Sequence, residues 1–238
     1  MFARQGRCVL ELPYPNLEKP MASIELITAE VCPYAQRTHM ALIEKGLEFE
    51  RREVDLANKP DWFQKVSPYS KVPVVKIGDK VVWESAIINE FIDESFPEKP
   101  LMPTDPFRRA QARIWIDFCN TRWVEHSYDL LFAKDKAAQD ALREKVIADL
   151  RWMEFEGMAR LSDGPFWMGS EITLVDLTFY PFFERFGALS HYRDVQIPDD
   201  CLRIIRWLEI MRERTSARET MHDDAYYIAR YAKYADAA

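Results

Sequence analysis

The sequence predicts a small α/β layer followed by an all-helical half, on three observations. Strand-like and helix-like segments alternate up to residue 96, a proline-rich connector follows at 97–106 (PEKPLMPTDP), and only helical periodicities remain beyond it. Glycine is scarce, at 7 of 238 residues, which also favours helices over a β-barrel. We assign residues 1–20 to an N-terminal extension, 21–100 to an α/β domain, 101–106 to a linker and 107–238 to a helical domain.

The first elements form a predicted βαβ unit. Ser23–Thr28 is a β-branched apolar run typical of a strand, and residues 33–46 show helical spacing that ends at Gly46. Glu48–Val54 alternates like a second strand, which the helical crossover makes parallel to the first. The order βαβαββα is completed by a short helix over 60–66, strands over 73–77 and 81–83 joined by a Gly78-Asp79 turn, and an amphipathic helix over 85–96.

Apolar residues recur at helical spacing throughout the second half. One helix start is sharply specified, because Thr173 is a predicted N-cap and Asp176 its partner three residues later, in the manner of a capping box. We interpret this motif as structural and not catalytic. The predicted helices cover 107–133, 137–161, 173–189, 201–214 and 223–235.

Composition and charge disfavour several functional classes. The net charge of −7 disfavours a nucleic-acid partner, whose phosphates the chain would repel. No charge-free apolar run approaches the ~18 residues of a membrane span, so no membrane partner is expected. The cysteines and histidines are scattered, without CxxC or zinc-ligand spacing. We therefore expect no metal site, no disulfide framework and a cytoplasmic location.

Cys32 is the residue best placed for chemistry, at the predicted N-cap of the first helix with a proline following it. The helix N-terminus favours the thiolate by ~0.3–2 kcal/mol, or roughly 0.2–1.5 pKa units, so full ionisation needs further hydrogen bonds. The alternative is a buried, inert thiol, and we expect that state for Cys8, Cys119 and Cys201. Because Ala35 stands where a dithiol enzyme has its resolving cysteine, only an external thiol can release a mixed disulfide on Cys32.

Five motifs carry a resemblance to a known family: CPYAQR (32–37), NKPDWF (58–63), KVPVV (71–75), WESAIINEF (83–91) and ITLVD (172–176). In this order and spacing they resemble the cytosolic glutathione S-transferases. A cysteine in place of the usual tyrosine or serine is similar to the omega and lambda classes, which favour thiol transfer over conjugation. The resemblance implies a thioredoxin-like domain followed by an all-helical domain, glutathione as co-substrate, no metal and a homodimer.

The same resemblance implies a glutathione site built on two short motifs. Val72 and Pro73 resemble a cis-proline turn that presents the Val72 backbone to the cysteinyl unit of glutathione. Glu84 and Ser85 resemble the clamp on the γ-glutamyl unit, in which the Ser85 hydroxyl and the helix start bind the carboxylate.

Two more residues receive roles from the resemblance. Lys59 resembles the omega-class lysine that meets the glycyl carboxylate, and Tyr34 is expected to flank the thiol. Arg37 and His39 are interpreted as ordinary positions on the first helix.

The second substrate is expected between the two domains. Candidates on the long helix are aromatic or basic: Trp115, Phe118, Arg122 and Trp123. The tail carries Tyr227, Tyr231 and Tyr234 on one helix face, a stripe more typical of core packing.

The sequence thus predicts a glutathione-dependent thiol transferase or reductase that acts through Cys32 on a small-molecule disulfide or electrophile, with dehydroascorbate or α-glutathionyl ketones among the implied substrates. A second hypothesis is a glutathione-conjugating transferase, in which the thiolate of glutathione attacks. A third is a non-catalytic module that binds a ligand or a partner protein, although such a module need not keep Cys32, Glu84 and Ser85.

Overall fold

The computed structural model describes residues 23–235, and the predicted extension with Cys8 lies outside them. As predicted, an α/β layer precedes a helical half. In the described part of the chain, no helix is both long and apolar enough to cross a membrane.

The α/β layer is built on a four-stranded mixed sheet. Its strands are β1 (Ile24–Thr28), β2 (Glu50–Glu53), β3 (Val74–Ile77) and β4 (Lys80–Trp83), in the order β2-β1-β3-β4. β1 and β2 are parallel, whereas β1 pairs with β3 and β3 pairs with β4 in antiparallel fashion. This arrangement confirms the predicted parallel crossover and the predicted hairpin.

Three helices complete this layer: α1 (Pro33–Lys45), α2 (Phe63–Val66) and α3 (Ser85–Ser95). Helix α1 ends at Gly46, whose φ of 69° is the left-handed conformation that glycine adopts without strain. Helix α2 is shorter than the predicted 60–66, because residues before Phe63 form turns closed by a bond from Phe63 N–H to Pro60 O.

Apolar residues pack on both faces of the sheet. One cluster joins the strands to helices α1 and α3, and the other joins them to α2 and to the loop before β3. Their fully buried members include Leu26, Leu42, Val75 and Ile88 in the first, and Ile27, Ala35, Phe63 and Val74 in the second.

The helical half forms the larger apolar core, with tryptophan and phenylalanine rings at its centre. Its helices are α4 (Pro106–Phe118), α5 (Val124–Phe132), α6 (Lys136–Trp152), α7 (Ala159–Leu161), α8 (Leu174–Glu184), α9 (Phe186–Arg193), α10 (Leu202–Glu213), α11 (Thr215–Arg218) and α12 (Asp224–Ala235).

The two longest predicted helices, over 107–133 and 137–161, are confirmed as helical, and each contains a π-helical turn that the sequence did not indicate. Cys119–Trp123 joins α4 to α5, and Met153–Met158 joins α6 to α7. A π turn widens the helix locally and turns the following residues to a different face.

The sequence predicts one helix over 173–189, and this is wrong because the segment divides into α8 and α9 at Arg185. Pro181 lies within α8 and has no N–H to donate to the preceding turn. The Arg185 guanidinium then donates to Pro181 O at 2.6 Å, which satisfies this carbonyl with a side chain at the helix end.

The capping box at the start of α8 is confirmed. The Asp176 side chain accepts from Thr173 N–H at 2.8 Å, and Thr173 caps the helix in return. Asp176 also accepts from Trp167 N–H at 3.0 Å and from the indole N–H of Trp207 at 2.9 Å, so it joins three segments inside the core.

Candidate active site

A cleft of about 350 Å³ opens where the two halves of the chain meet. It is bordered by the start of α1, the loop before β3, the start of α3 and the π turn between α4 and α5. The lining residues are Tyr34, Ser67, Tyr69, Lys71, Val72, Pro73, Trp83, Glu84, Ser85, Ala86 and Asn120.

Cys32 lies at the N-cap of α1, beside this cleft, and is half-buried. Its Sγ donates to Val72 O at 3.7 Å, which ties the thiol to the loop before β3. Burial raises the pKa of the Cys32 thiol, and hydrogen bonds from the backbone N–H groups of Ala35 and Tyr34 only partly offset this increase. The helix N-terminus therefore lowers the pKa of Cys32 as expected, and the expectation that it does not ionise the thiol by itself agrees with the larger effect of burial.

Two buried guanidinium groups lie on the inner side of Cys32, and both lower its pKa electrostatically. Arg185 donates to Gln36 Oε1 at 2.6 Å and to Val31 O at 3.4 Å, next to the cysteine. Arg37 is only 1% exposed. Arg37, interpreted from the sequence as an ordinary position on the first helix, is thus a buried cation.

His39, predicted to be an ordinary position on the first helix, does not line the cleft. It is half-buried against Phe49, and desolvation together with the nearby Arg51 lowers the pKa of its imidazole to about 4. His39 is therefore neutral at physiological pH.

The start of α3 forms one wall of the cleft. Glu84 adopts φ 69° and ψ 111°, a conformation that costs free energy for any residue with a side chain. It turns the chain sharply, so that the buried Ser85 and the first N–H groups of α3 border the cavity. Such a helix start binds carboxylates well because its N–H groups have no partner within the helix.

The loop before β3 forms the opposite wall. The Val72–Pro73 peptide bond is cis, as the resemblance implied. Lys71 and Tyr69 line the cavity here, and Lys71 N–H is held by Ser67 Oγ at 2.9 Å. Lys59 does not line the cavity. Its Nζ donates to Ser70 O at 2.9 Å.

None of the four residues predicted to contact the second substrate lines this cleft, and for Phe118 and Arg122 contact with a substrate stays a prediction. Trp115 and Trp123 are 7% and 1% exposed and pack in the helical core, Trp115 against Trp167 and Trp123 against Phe183. Phe118 packs against the same core, and Arg122 pairs with the buried Asp149 at 2.7 Å. Trp115 and Trp123 thus fill the core of the helical half.

A second, smaller cavity of about 30 Å³ lies among α5, α8, α9 and the tail helix α12. Tyr128, Phe182, Arg185 and Tyr231 line it, and Tyr34 contacts Phe182 from the side of the cleft, with ring centroids 5.4 Å apart. The region between the cleft and the tail helix is therefore mainly aromatic.

The three tail tyrosines have different environments. Tyr227 is 1% exposed and donates to Glu184, which fits core packing. Tyr231 lines the small cavity, and Tyr234 is 41% exposed beside Phe132.

Of the predicted glutathione-binding residues, Tyr34, Val72, Pro73, Glu84 and Ser85 share the cleft beside Cys32, and their contact with a ligand stays a prediction. Sequence reasoning missed six lining residues: Ser67, Tyr69, Lys71, Trp83, Ala86 and Asn120. Lys71 and Trp83 lie in the motifs KVPVV (71–75) and WESAIINEF (83–91), directly before Val72 and Glu84. Their position next to predicted site residues could therefore have identified them as lining residues. No sequence signal indicated Asn120.

In residues 23–235, no group of three His, Cys, Asp or Glu side chains is arranged to hold a metal ion. Cys32, Cys119 and Cys201 are free thiols; Cys119 and Cys201 are buried, and burial raises the pKa of each to about 12.

Comparison with protein families gives two matches, one on each half of the chain. Residues 31–95 match the model described as "Glutathione S-transferase, N-terminal domain". Residues 136–209 match the model described as "Glutathione S-transferase, C-terminal domain". The first match contains Cys32, the cis-proline loop and the start of α3.

Individual proteins are similar over most of their length. Glutathione S-transferase U19 of Arabidopsis thaliana is 32% identical over 203 residues, 84% of this chain and 90% of that protein. Glutathione S-transferase omega-1 of Rattus norvegicus is 30% identical over 210 residues, 87% of this chain and 84% of that protein. The solved structure of a tau-class glutathione S-transferase from mango, Mangifera indica, superposes with a TM-score of 0.84 at 26% identity, covering 90% of this chain and 99% of that one.

Proposed function

The chain belongs to the glutathione S-transferase family, and we propose that it is a glutathione-dependent thiol transferase that acts through Cys32. The observation that carries the proposal is the environment of this thiol. Cys32 stands at a helix N-cap beside the cleft, and Ala35 holds the position of a resolving cysteine. A thiol so placed forms a mixed disulfide and needs a second, external thiol for release.

Glutathione would lie along the cleft in an extended conformation. Its α-carboxylate would bind Ser85 and the free N–H groups at the start of α3, while Glu84 would pair with its α-amino group. Its cysteinyl unit would pair with the backbone of Val72, which already lies 3.7 Å from the Cys32 sulfur. Lys71, with Lys59 on the adjoining turn, would supply positive charge to the glycyl carboxylate.

The proposed reaction has two exchange steps. The Cys32 thiolate attacks the glutathionyl sulfur of a mixed disulfide, a sulfur–sulfur bond forms, and the other half leaves as a thiolate that takes up a proton. The thiolate of a free glutathione then attacks the same sulfur, releases glutathione disulfide and regenerates the Cys32 thiolate. In the net reaction the mixed disulfide and one free glutathione give the substrate thiol and glutathione disulfide, so one disulfide is consumed and one is formed.

Burial raises the pKa of Cys32 and so favours the protonated thiol. The N–H groups of Ala35 and Tyr34 and the charges of Arg37 and Arg185 act in the opposite direction and stabilise the thiolate as it forms. These groups are fixed by the fold and need no reorganisation during the reaction.

The test is glutathione-dependent reduction of the mixed disulfide between glutathione and mercaptoethanol, with wild type compared with Cys32→Ser. We expect turnover and a Cys32-bound glutathione detectable by mass in the wild type, and neither in the variant. Cys8→Ser is the matched control and should retain both. Turnover that survives Cys32→Ser would refute the proposal.

A second candidate, conjugation of glutathione to an electrophile, is supported by the raised pKa of Cys32 and by the similarity to the tau-class structure. In that reaction the glutathione sulfur attacks, and Cys32 only borders it. Conjugation to chlorodinitrobenzene that persists in Cys32→Ser, together with no disulfide reduction by the wild type, would replace the first candidate with the second.

We also propose that the chain is cytoplasmic, which is supported by its free cysteines.

We propose in addition that the chain forms a homodimer through helices α3 and α4, which are joined by the ion pair between Glu90 and Arg113. Three large apolar side chains are exposed around this ion pair: Ile87 (61%) on α3, and Phe107 (71%) and Ile114 (64%) on α4. Burial of these side chains against a second copy would stabilise the pair. Sedimentation of wild type and Ile114→Glu tests this, since a dimer should dissociate in the variant and a monomer should be unaffected.

A further inference from the structure

Arg37 is a buried cation without a carboxylate partner in residues 23–235. Its guanidinium donates to Thr178 O at 2.9 Å, to Asn120 Oδ1 at 2.7 Å and to Cys119 Sγ at 3.4 Å. It also lies over the ring of Tyr34, 4.9 Å from the ring centroid. Burying an unneutralised charge is costly, so this arrangement calls for an explanation beyond packing.

The orientation of the Asn120 amide follows from the chemistry of Arg37. A guanidinium only donates hydrogen bonds, so the atom of Asn120 that faces it must be the oxygen. The amide NH₂ therefore points away from Arg37. No acceptor within the described residues takes a hydrogen bond from this NH₂ group, although Asn120 lines the cleft.

The π turn explains why Asn120 reaches this position. Two consecutive residues, Cys119 and Asn120, both contact Arg37, although neighbouring residues on an α-helix point about 100° apart. The widened turn over Cys119–Trp123 brings both side chains toward α1.

We propose that Asn120 is a ligand-binding residue whose NH₂ group donates to an oxygen of the molecule in the cleft, and that Arg37 is the residue that positions it. The proposal rests on the proposed function in taking the cleft as the glutathione site. Aspartate at position 120 would neutralise Arg37 and stabilise the interface, yet it would place a negative charge where a carboxylate-bearing ligand binds. Asparagine keeps the donor and leaves the positive charge of Arg37 uncompensated behind the cleft.

The acceptor is a carboxylate or carbonyl oxygen, and two molecules could supply it. One is glutathione, through the carboxylate that binds at the start of α3, which lines the same cavity as Asn120. The other is the second substrate, through an oxygen on the group attached to sulfur. Equilibrium binding of glutathione separates the two sources from each other.

The decisive variant is Asn120→Asp, which keeps the size and the oxygen toward Arg37 but removes the donor. We expect an unchanged or higher melting temperature, because the buried cation gains a counter-charge. We also expect glutathione affinity, measured by titration calorimetry, to fall at least about ten-fold, the effect of losing a hydrogen bond to a charged group. If glutathione affinity stays within two-fold and KM for the mixed disulfide rises about ten-fold instead, the acceptor belongs to the second substrate.

Gln196→Glu is the matched control, because it adds the same charge at an exposed position that does not line the cleft. It should leave glutathione affinity and KM unchanged. If the aspartate variant does not fold, Asn120→Ala replaces it in the same measurements. Its binding of the ligand should weaken to a similar extent. Combining Asn120→Ala with Arg37→Met should weaken binding little further, since the second residue acts through the first.

A stable Asn120→Asp protein with wild-type affinity and wild-type KM would overturn the proposal. So would a melting temperature that falls while both binding parameters stay constant, since that result describes a purely structural residue. This result is distinct from failure of the proposed function, in which wild type itself binds no glutathione or Cys32→Ser retains turnover.

Discussion

Asp176 offers a quantitative test of the core, because one carboxylate accepts four hydrogen bonds there. Oδ1 accepts from Trp167 N–H at 3.0 Å and from the Trp207 indole at 2.9 Å. Oδ2 accepts from Thr173 N–H and from its hydroxyl, both at 2.8 Å. Asp176 has no exposed surface, so water cannot replace an acceptor that is lost.

The substitution Asp176→Asn exchanges one acceptor oxygen for a donor without changing the shape. If the amide oxygen accepts from Trp167 and Trp207, the Thr173 N–H faces an NH₂ group and stays unsatisfied. If the amide is flipped, the Trp167 N–H and the indole N–H of Trp207 lose their acceptor. Each buried unsatisfied donor costs about 1–3 kcal/mol, so we expect a loss of about 2 kcal/mol or more in the free energy of unfolding.

Urea unfolding followed by tryptophan fluorescence measures this loss, with Asp163→Asn as the control. The Asp163 side chain is fully exposed and has only a 4.0 Å contact to Arg203, so the same chemical change there should alter stability little. A loss below about 0.5 kcal/mol for Asp176→Asn would refute the reasoning, because it would mean that these buried donors do not depend on the carboxylate.

Three further predictions concern packing and the thiol. Gly157→Ala would place a Cβ 2.9 Å from Trp115 and 3.0 Å from Trp167, so overpacking should lower the free energy of unfolding by about 1–3 kcal/mol, measured by urea unfolding. Because burial raises the pKa of Cys32, its alkylation by iodoacetamide should be slower at pH 8 than that of a small free thiol and should increase at higher pH; faster alkylation at pH 8 would contradict this. Arg185→Gln should shift the pH dependence of alkylation to higher pH, because the positive charge of Arg185 lowers the pKa of Cys32. Arg185→Lys keeps this charge and should leave the pH dependence unchanged.

The α/β layer was predictable almost element by element, for a physical reason. Its strands and helices are short, and each is bounded by a strong local signal such as Gly46 or the Gly78-Asp79 turn. The long helices of the second half were predicted in place but not in detail. A π turn leaves the apolar periodicity almost unchanged in the sequence, so the turn at Cys119–Trp123 could not be distinguished from a regular helix.

The same contrast applies to the cleft. Cys32, Val72 and Ser85 belong to short contiguous motifs, and a motif read in the sequence keeps its local geometry in the fold. Trp115 and Trp123 were misplaced because an aromatic residue on a helix has the same sequence pattern whether it faces a ligand or a core. Only the packing of α4 and α5 against the rest of the helical half decides between these outcomes.

Arg37 and Arg185 show most clearly why the charge distribution behind the thiol is not readable from the chain. Arginine on a helix is usually solvated, and nothing near Arg37 in sequence distinguishes it from an exposed position. Its acceptors are contributed by Asn120 and Thr178, 83 and 141 residues away, and both lie in the other domain. The electrostatic environment of Cys32 is therefore a property of the domain interface. A variant that weakens this interface should raise the pKa of the thiol even when the α/β layer itself stays folded.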